Sequence, residues 1–252
     1  MSDHILTERD GAVLVIRMSR PEKKNALTFD MYRGLTDAIN SAIRDDTVRV
    51  LLVAGAGGSF TAGNDLQDFA KPGNADANSP VFGFLHTIAS CPKPIVAAVN
   101  GVAVGIGTTM LLHCDLIVAD PATRFSLPFI NLGLVPEAAS SLILPRMIGH
   151  QRASELLLLG DMFDAATAER HGIINKVSAA GEAEADAMAW AQTLAKKAPT
   201  ALRMSKALLK SESTGVEARI EEEARAFLPM LRGPEFREAL MAFMEKRAPK
   251  FD

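Results

Sequence analysis

The sequence predicts an α/β protein whose sheets are covered on both faces. The central chain repeats strand, loop and helix, and its strands run apolar without alternation, as strands buried on both sides do. VRVLLVAG (Val48–Gly55) and PIVAAV (Pro94–Val99) are the clearest cases. Size agrees. With 252 residues, 48% of them hydrophobic and 23% charged, the chain is long enough to bury a core without disulfide or metal staples.

The elements follow in order. HILTERDGAVLVIRM reads as two strands joined at Asp10-Gly11, a tight-turn signal. Thr28 is placed to cap a helix in which Met31, Leu35, Ile39 and Ile43 recur at helical spacing. The run from Val48 to Phe60 is a buried strand ending in a glycine-rich loop. The strand at Pro94 leads through VAVGIGTTMLLHC into a helix, and DLIVAD and TRFSL follow as short strands. From Ala138 helix dominates, interrupted near Ile173 by GIINKV. Past Gly181 the pattern turns to consecutive helices punctuated by Pro199, Gly215 and Gly233. Their apolar stripes include Leu202, Leu208 and Leu209, then Phe227, Leu228 and Leu231, then Leu240 and Phe243. Residues 1–180 are therefore expected to form the core, and residues 181–252 a helical region packed on it or on a neighbouring subunit.

Charge and composition remove several function classes. The net charge is −3 and no Lys/Arg cluster tracks a phosphate backbone, so nucleic acid is not expected as a partner. Cys91 and Cys114 lack metal-ligand spacing and are too few for a disulfide framework; buried free thiols in a reducing compartment are expected. The N-terminal MSDHILTERDG has no secretory pattern, no uncharged apolar run reaches membrane-spanning length, and KRAPKFD is not a peroxisomal address. The expectation is a cytoplasmic protein that does not meet the membrane.

Two glycine loops are the first candidates for chemistry. GAGGSFTAGNDL (Gly55–Leu66) and NGVAVGIGTT (Asn100–Thr109) each follow a strand and precede a helix, so backbone N–H groups from both can converge on one oxyanion. Neither is a Walker or G-x-G-x-x-G sequence. No G-x-S-x-G is present, Ser140 and Ser141 lack an evident histidine partner, and no metal cluster is visible. His86, His113, His150 and His171 fall in helices or at their ends, where structural or solvent-facing roles are expected. One acid stands apart. Glu137, in NLGLVPEAASS, is the only acid between Asp120 and Glu155, and on its own it reads as a helix-start residue after Pro136.

RPEKKNALT (Arg20–Thr28), FTAGNDLQDF (Phe60–Phe69), PKPIVAAVNGVAVGIG (Pro92–Gly107), CDLIVADPATRFSLPFINLGLVPE (Cys114–Glu137) and AFMEKRAPKF (Ala242–Phe251) together resemble the crotonase, or enoyl-CoA hydratase/isomerase, superfamily over essentially the whole chain. The resemblance implies a spiral of ββα repeats, a C-terminal helical oligomerisation region, a homotrimer or pair of trimers, and acyl-CoA thioester substrates. Coenzyme A is then part of the substrate, and no separate cofactor or metal is implied. By motif, the backbone N–H groups of Asn64 and Ile106 would hold the thioester oxygen. Lys24, Ala26, Leu27, Ala62, Asp65 and Leu66 match the region that wraps the adenine and pantetheine, and Phe243 and Lys246 match residues reaching the nucleotide end.

Two departures narrow the reaction. Hydratases of the family position water with two glutamates, and at the matching positions this chain has Thr109 and Phe129. The PE followed by small residues and SS resembles instead the peroxisomal-type Δ3,Δ2-enoyl-CoA isomerases of fatty acid metabolism. There a single glutamate, here Glu137, carries a proton from C2 to C4. Another crotonase reaction such as hydration, and a silent acyl-CoA-binding protein, are the competing expectations.

Overall fold

The computed structural model describes residues 2–69, 79–211 and 215–251. Among them the strands are β1 (Ile5–Asp10), β2 (Val13–Met18), β3 (Val50–Gly55), β4 (Ile95–Val99), β5 (Val102–Val104), β6 (Leu116–Ala119), β7 (Arg124–Ser126), β8 (Phe163–Asp164) and β9 (Lys176–Val177). The α-helices are α1 (Phe29–Arg44), α2 (Leu66–Phe69), α3 (Pro80–Ser90), α4 (Ile106–Thr109), α5 (Ser140–Ile148), α6 (His150–Ser154), α7 (Ala165–Arg170), α8 (Ala183–Ala195), α9 (Pro199–Ser211), α10 (Val216–Met230) and α11 (Pro234–Glu245).

The hairpin at Gly11 is present: Asp10 faces Val13, and Gly11 takes the left-handed conformation at φ 57°. Beyond it every pairing in the six-stranded sheet is parallel, in the order β1-β2-β3-β4-β6-β9. Alternate residues of each strand feed two apolar clusters. Ile16, Leu51, Val53, Ile95, Ala97 and Ile117 face the main core with α1 and α3, whereas Val13, Val15, Leu52, Val96 and Val118 face α8. Ala183, Ala187 and Ala191 present the small side chains that let α8 lie close on the sheet. Both faces are buried, which is why the strand sequences do not alternate.

A second sheet, β5-β7-β8, makes the chain a spiral. β4 and β6 belong to the large sheet, and each next strand, β5 and β7, crosses into the small one. β3 repeats the step, because Thr61 forms a parallel bridge with Ala103 of β5. This is the spiral of ββα units that the resemblance implies. The sequence pattern merged β5 into the following helix; Val102–Val104 is a strand because it pairs with β7, a partner no local signal names. β8 was invisible for the same reason, at two residues long. GIINKV does contain a strand, β9.

α1 starts where Thr28 predicts: its Oγ1 accepts from the Met31 N–H, and Met31, Leu35 and Ile39 point inward. α10 returns from the C-terminal region to contact α3, α5 and α11. α9 leaves Met204, Leu208 and Leu209 exposed at 59%, 68% and 84%. Among the described residues no helix is long and apolar enough to cross a membrane.

Candidate active site

The first glycine loop is clamped by the segment before α1. Asn25 is fully buried; its amide donates to the carbonyls of Ala56 (2.9 Å) and Ser59 (2.6 Å), and its Oδ1 accepts from the Arg20 N–H (2.7 Å). Thr61 Oγ1 donates to the Asn25 carbonyl (2.7 Å) and accepts from the Gly63 N–H (3.1 Å). Arg20 also pairs with Asp65 at 2.7 Å. Burial pushes the Asp65 carboxyl up, but the Arg20 hydrogen bond and two backbone donors outweigh it and hold it below the usual carboxylate range.

The second loop turns at Gly105, the residue before α4, and Thr108 Oγ1 ties it to the carbonyls of Ala103 (2.6 Å) and Ser126 (3.1 Å). The two loops then meet with no room between them. A Cβ on Gly63 would stand 2.7 Å from the Val104 carbonyl oxygen, and one on Gly107 would stand 2.7 Å from the Thr61 methyl. Glycine is required at both contacts because any side chain would drive the loops apart.

Asn64 and Ile106 line one cavity of about 510 Å³. Among the described residues, neither the Asn64 nor the Ile106 N–H donates to another atom of the chain, whereas the neighbouring N–H groups of Gly63, Asp65 and Gly105 all do. Ala26, Ala62, Asp65, Leu66 and Phe243 share the same wall. Three sequence-expected residues do not. Lys24 is exposed in a left-handed turn (φ 47°), and its carbonyl accepts from the Ala62 N–H; Lys23 lines the cavity in its place. Leu27 is fully buried in the core, its backbone bridging to the first loop. Lys246 ends α11 in a left-handed conformation, exposed and off the cavity wall. The inner wall is apolar, built from Phe69, Phe129, Leu134, Phe227 and Phe236.

Glu137 is not a helix-start residue. α5 begins three residues later, and between them Ala138 and Ala139 are both left-handed, at φ 61° and 55°. That conformation is costly for residues other than glycine and persists only where the surroundings impose it. The carboxylate at the start of α5 belongs to Glu223 of α10. It accepts from the Ala139 N–H (2.6 Å), the Ser141 N–H (3.1 Å) and Ser141 Oγ (2.5 Å). From the other side, His113 Nε2–H donates to the Ala138 carbonyl (2.9 Å). Burial, with help from Lys210, pushes His113 down to about 4, so the ring is neutral near pH 7.

Held this way, Glu137 is 2% exposed and its Oε1 has no partner among the described residues. Burial, reinforced by the Glu223 charge, pushes its carboxyl from 4.5 up to about 8. It lies outside the cavity wall, near Tyr32, whose hydroxyl is pushed well up by burial and by the Glu137 charge. The Tyr32 hydroxyl donates to the side-chain oxygen of Asn64, linking Glu137's surroundings to the first glycine loop. At the other two positions of interest there is no carboxylate: Thr109 is buried with Oγ1 unpaired, and Phe129 is on the cavity wall.

Sequence reading missed Tyr32, His113 and Glu223. Tyr32 carries no local signal of its contacts, and His113 was expected in a structural or solvent-facing role, which its bond to the Ala138 carbonyl fits. Glu223 sits in a run of three glutamates, and its one signal is helical spacing with the buried Ile220, Ala224 and Phe227. Among the described residues no group of three His, Cys, Asp or Glu side chains could hold a metal.

Comparison with known proteins identifies the family and the fold. The family described as enoyl-CoA hydratase/isomerase matches residues 8–252. Enoyl-CoA delta isomerase 2 of Rattus norvegicus is 35% identical over 98% of this chain, which spans 64% of that protein's length. The 1,2-epoxyphenylacetyl-CoA isomerase of Escherichia coli K12 is 32% identical over 100% of this chain and 99% of its own. The crystal structure of an enoyl-CoA hydratase/isomerase from Pseudoalteromonas atlantica T6c superposes with a TM-score of 0.95, at 40% identity, over 99% of this chain and 100% of that one.

Proposed function

Since the chain belongs to the enoyl-CoA hydratase/isomerase family of crotonase-fold enzymes, we propose that it shifts the double bond of 3-enoyl-CoA thioesters to the 2-position. The carrying observation is Glu137, a buried carboxyl with a free oxygen and a proton affinity near the operating pH, where no second carboxylate is available at Thr109 or Phe129.

In this reading the thioester oxygen is held by the N–H groups of Asn64 and Ile106, which make no bond among the described residues. Donors fixed in advance stabilise the negative charge that develops when the C2 proton leaves. Ionised Glu137 takes that proton, the electron pair passes through the enolate, and the same carboxyl returns the proton to C4. The double bond then lies between C2 and C3, with no atom gained or lost. A carboxyl near 8 suits both halves, being basic enough to take the proton and acidic enough to give it back. One base suffices because no water is added; hydration asks for a second group to hold the water, and neither Thr109 nor Phe129 can replace it.

The acyl chain would lie among Phe69, Phe129, Leu134, Phe227 and Phe236, which offer it apolar surface and no competing polar group. Ala26, Ala62, Asp65, Leu66 and Phe243 would border the coenzyme A portion, with Lys23 on the wall where Lys24 was expected. Coenzyme A enters as part of the substrate. In the same reading copies of the chain associate, as trimers or pairs of trimers, through apolar side chains left exposed on α9.

The test is incubation of the purified protein with a 3-enoyl-CoA and, separately, a 2-enoyl-CoA, following double-bond position and water uptake. Conversion of the first without hydration of the second is expected. Rapid hydration with no double-bond shift would overturn the assignment.

A further inference from the structure

We propose that Glu223 is the positioning residue for Glu137, fixing the loop that carries it and setting the charge it faces. The inference rests on Glu137 being the acid/base of the reaction. Its geometry comes from a different part of the chain, since Glu223 lies 86 residues further on, in α10.

Glu223 holds the C-terminal side of a strained turn. Ala138 and Ala139 follow Glu137 directly, both left-handed, and such a turn needs external bonds to persist. Glu223 supplies them by accepting from Ala139 N–H and from the backbone and hydroxyl of Ser141, while His113 holds the Ala138 carbonyl. Without Glu223 the buried Ala139 N–H loses its acceptor and the half-buried Ser141 is released, so the turn loses a restraint on this conformation.

The same contacts divide one proton between two carboxyls. Burial pushes the Glu223 carboxyl up, but the three donors from Ser141 and Ala139 oppose it, and Arg219, on the same helix, adds positive charge. Glu137 has an oxygen with no donor among the described residues. When two carboxyls share a buried region they ionise separately, and the one with more donors ionises first. Glu223 is therefore the carboxyl of the two that ionises first, and its charge holds the proton on Glu137 to higher pH. The other titratable groups nearby do not offset this. Tyr32 of α1 faces Glu137 but is held neutral, His113 is neutral near pH 7, and His86 of α3 bonds to Glu221. α5 contributes Ser141.

The experiment compares wild type with Glu223→Gln, Glu223→Asp, Glu137→Gln and the double variant Glu137→Gln/Glu223→Gln. The difference in thermal stability between a protein and its Glu137→Gln form, followed against pH, reports where Glu137 ionises, whatever reaction it performs. In the Glu223→Gln background that midpoint is expected at lower pH than in wild type. With a 3-enoyl-CoA, Glu223→Gln is expected to lower kcat roughly 10-fold or more by misplacing the base, with KM little changed. Glu223→Asp keeps the charge, so it should retain the high midpoint while losing kcat through its shorter reach. Identical midpoints in the two backgrounds, or an unchanged kcat in Glu223→Gln, would overturn the inference. An active Glu137→Gln would instead remove the acid/base reading, leaving the thermal midpoint to decide the coupling alone. If Glu223→Gln does not fold, Ser141→Ala removes one donor from Glu223 and should move the midpoint in the same direction by less; no movement there counts against the inference.

Discussion

Replacing Glu137 with glutamine should make the protein more stable and catalytically dead, and the stability gain should depend on pH. In the unfolded chain the carboxyl ionises near 4.5, whereas in the fold it does so near 8. Below the lower value it is protonated in both states and costs nothing. As pH rises between the two, the unfolded state releases its proton while the folded state keeps it, so stability falls. Above the higher value both are ionised and the loss stays constant. Each pH unit in that window is worth about 1.36 kcal/mol, so the full penalty is about 5 kcal/mol, and between about pH 5 and pH 7 the folded protein loses roughly 2–3 kcal/mol that glutamine does not lose. For a chain of this size the gap in Tm between variant and wild type should widen by roughly 5–10 °C over that interval. Calorimetry or thermal fluorescence at several pH values measures it, and taking the difference between the two proteins cancels every other group. The activity of the variant toward a 3-enoyl-CoA should fall on the order of 100-fold to 10,000-fold, the usual cost of losing a general base. In wild type, kcat/KM should rise with pH and level off near 8, because the free enzyme must be ionised at Glu137. Parallel Tm curves for the two proteins would show that Glu137 is not protonated by its burial, and equal isomerase rates would show that it moves no proton.

Three further outcomes follow from the same geometry. Gly63→Ala places a methyl 2.7 Å from the Val104 carbonyl oxygen at φ 90°, and should destabilise by roughly 2–4 kcal/mol with loss of activity as the two loops separate, measured by denaturation and turnover. Asn25→Ala removes the amide that binds the Ala56 and Ser59 carbonyls and the oxygen that accepts from Arg20; a cost of about 2–4 kcal/mol is expected, with Asn25→Gly no better because the hydrogen bonds and not the left-handed turn dominate. Sedimentation at micromolar concentration should give an oligomer, and aspartate at Leu208 and Leu209 should weaken it, since these α9 side chains are 68% and 84% exposed in the isolated chain; a wild-type monomer would remove the proposed interface.

Much of this protein is written locally. The hairpin needs Gly11, the cap of α1 needs Thr28, and unbroken apolar runs need a sheet buried on both faces; each is a short-range requirement that a reader of the chain can check. The glycines of the two loops are legible as well, since only a residue without a side chain permits the approach that Gly63 and Gly107 make. Glu137 stood out by isolation alone, an acid among apolar residues.

What the acid does there was decided elsewhere in the chain. A carboxyl after a proline is compatible with a helix start, and no local feature says otherwise. The fold assigns that duty to Glu223, from a helix that sequence pattern marks only by its apolar stripe, and so leaves Glu137 buried with an oxygen unpaired among the described residues. The exchange of Lys24 for Lys23 at the cavity has the same origin, because a left-handed turn reorients neighbouring side chains in a way that composition does not encode. Residue type and periodicity therefore determined the long strands of the large sheet, the cap of α1 and the glycine loops, which depend on neighbours in sequence. The proton affinity of Glu137 depends on which distant groups are packed against it and on how much water they exclude, and only the assembled tertiary structure sets those two quantities.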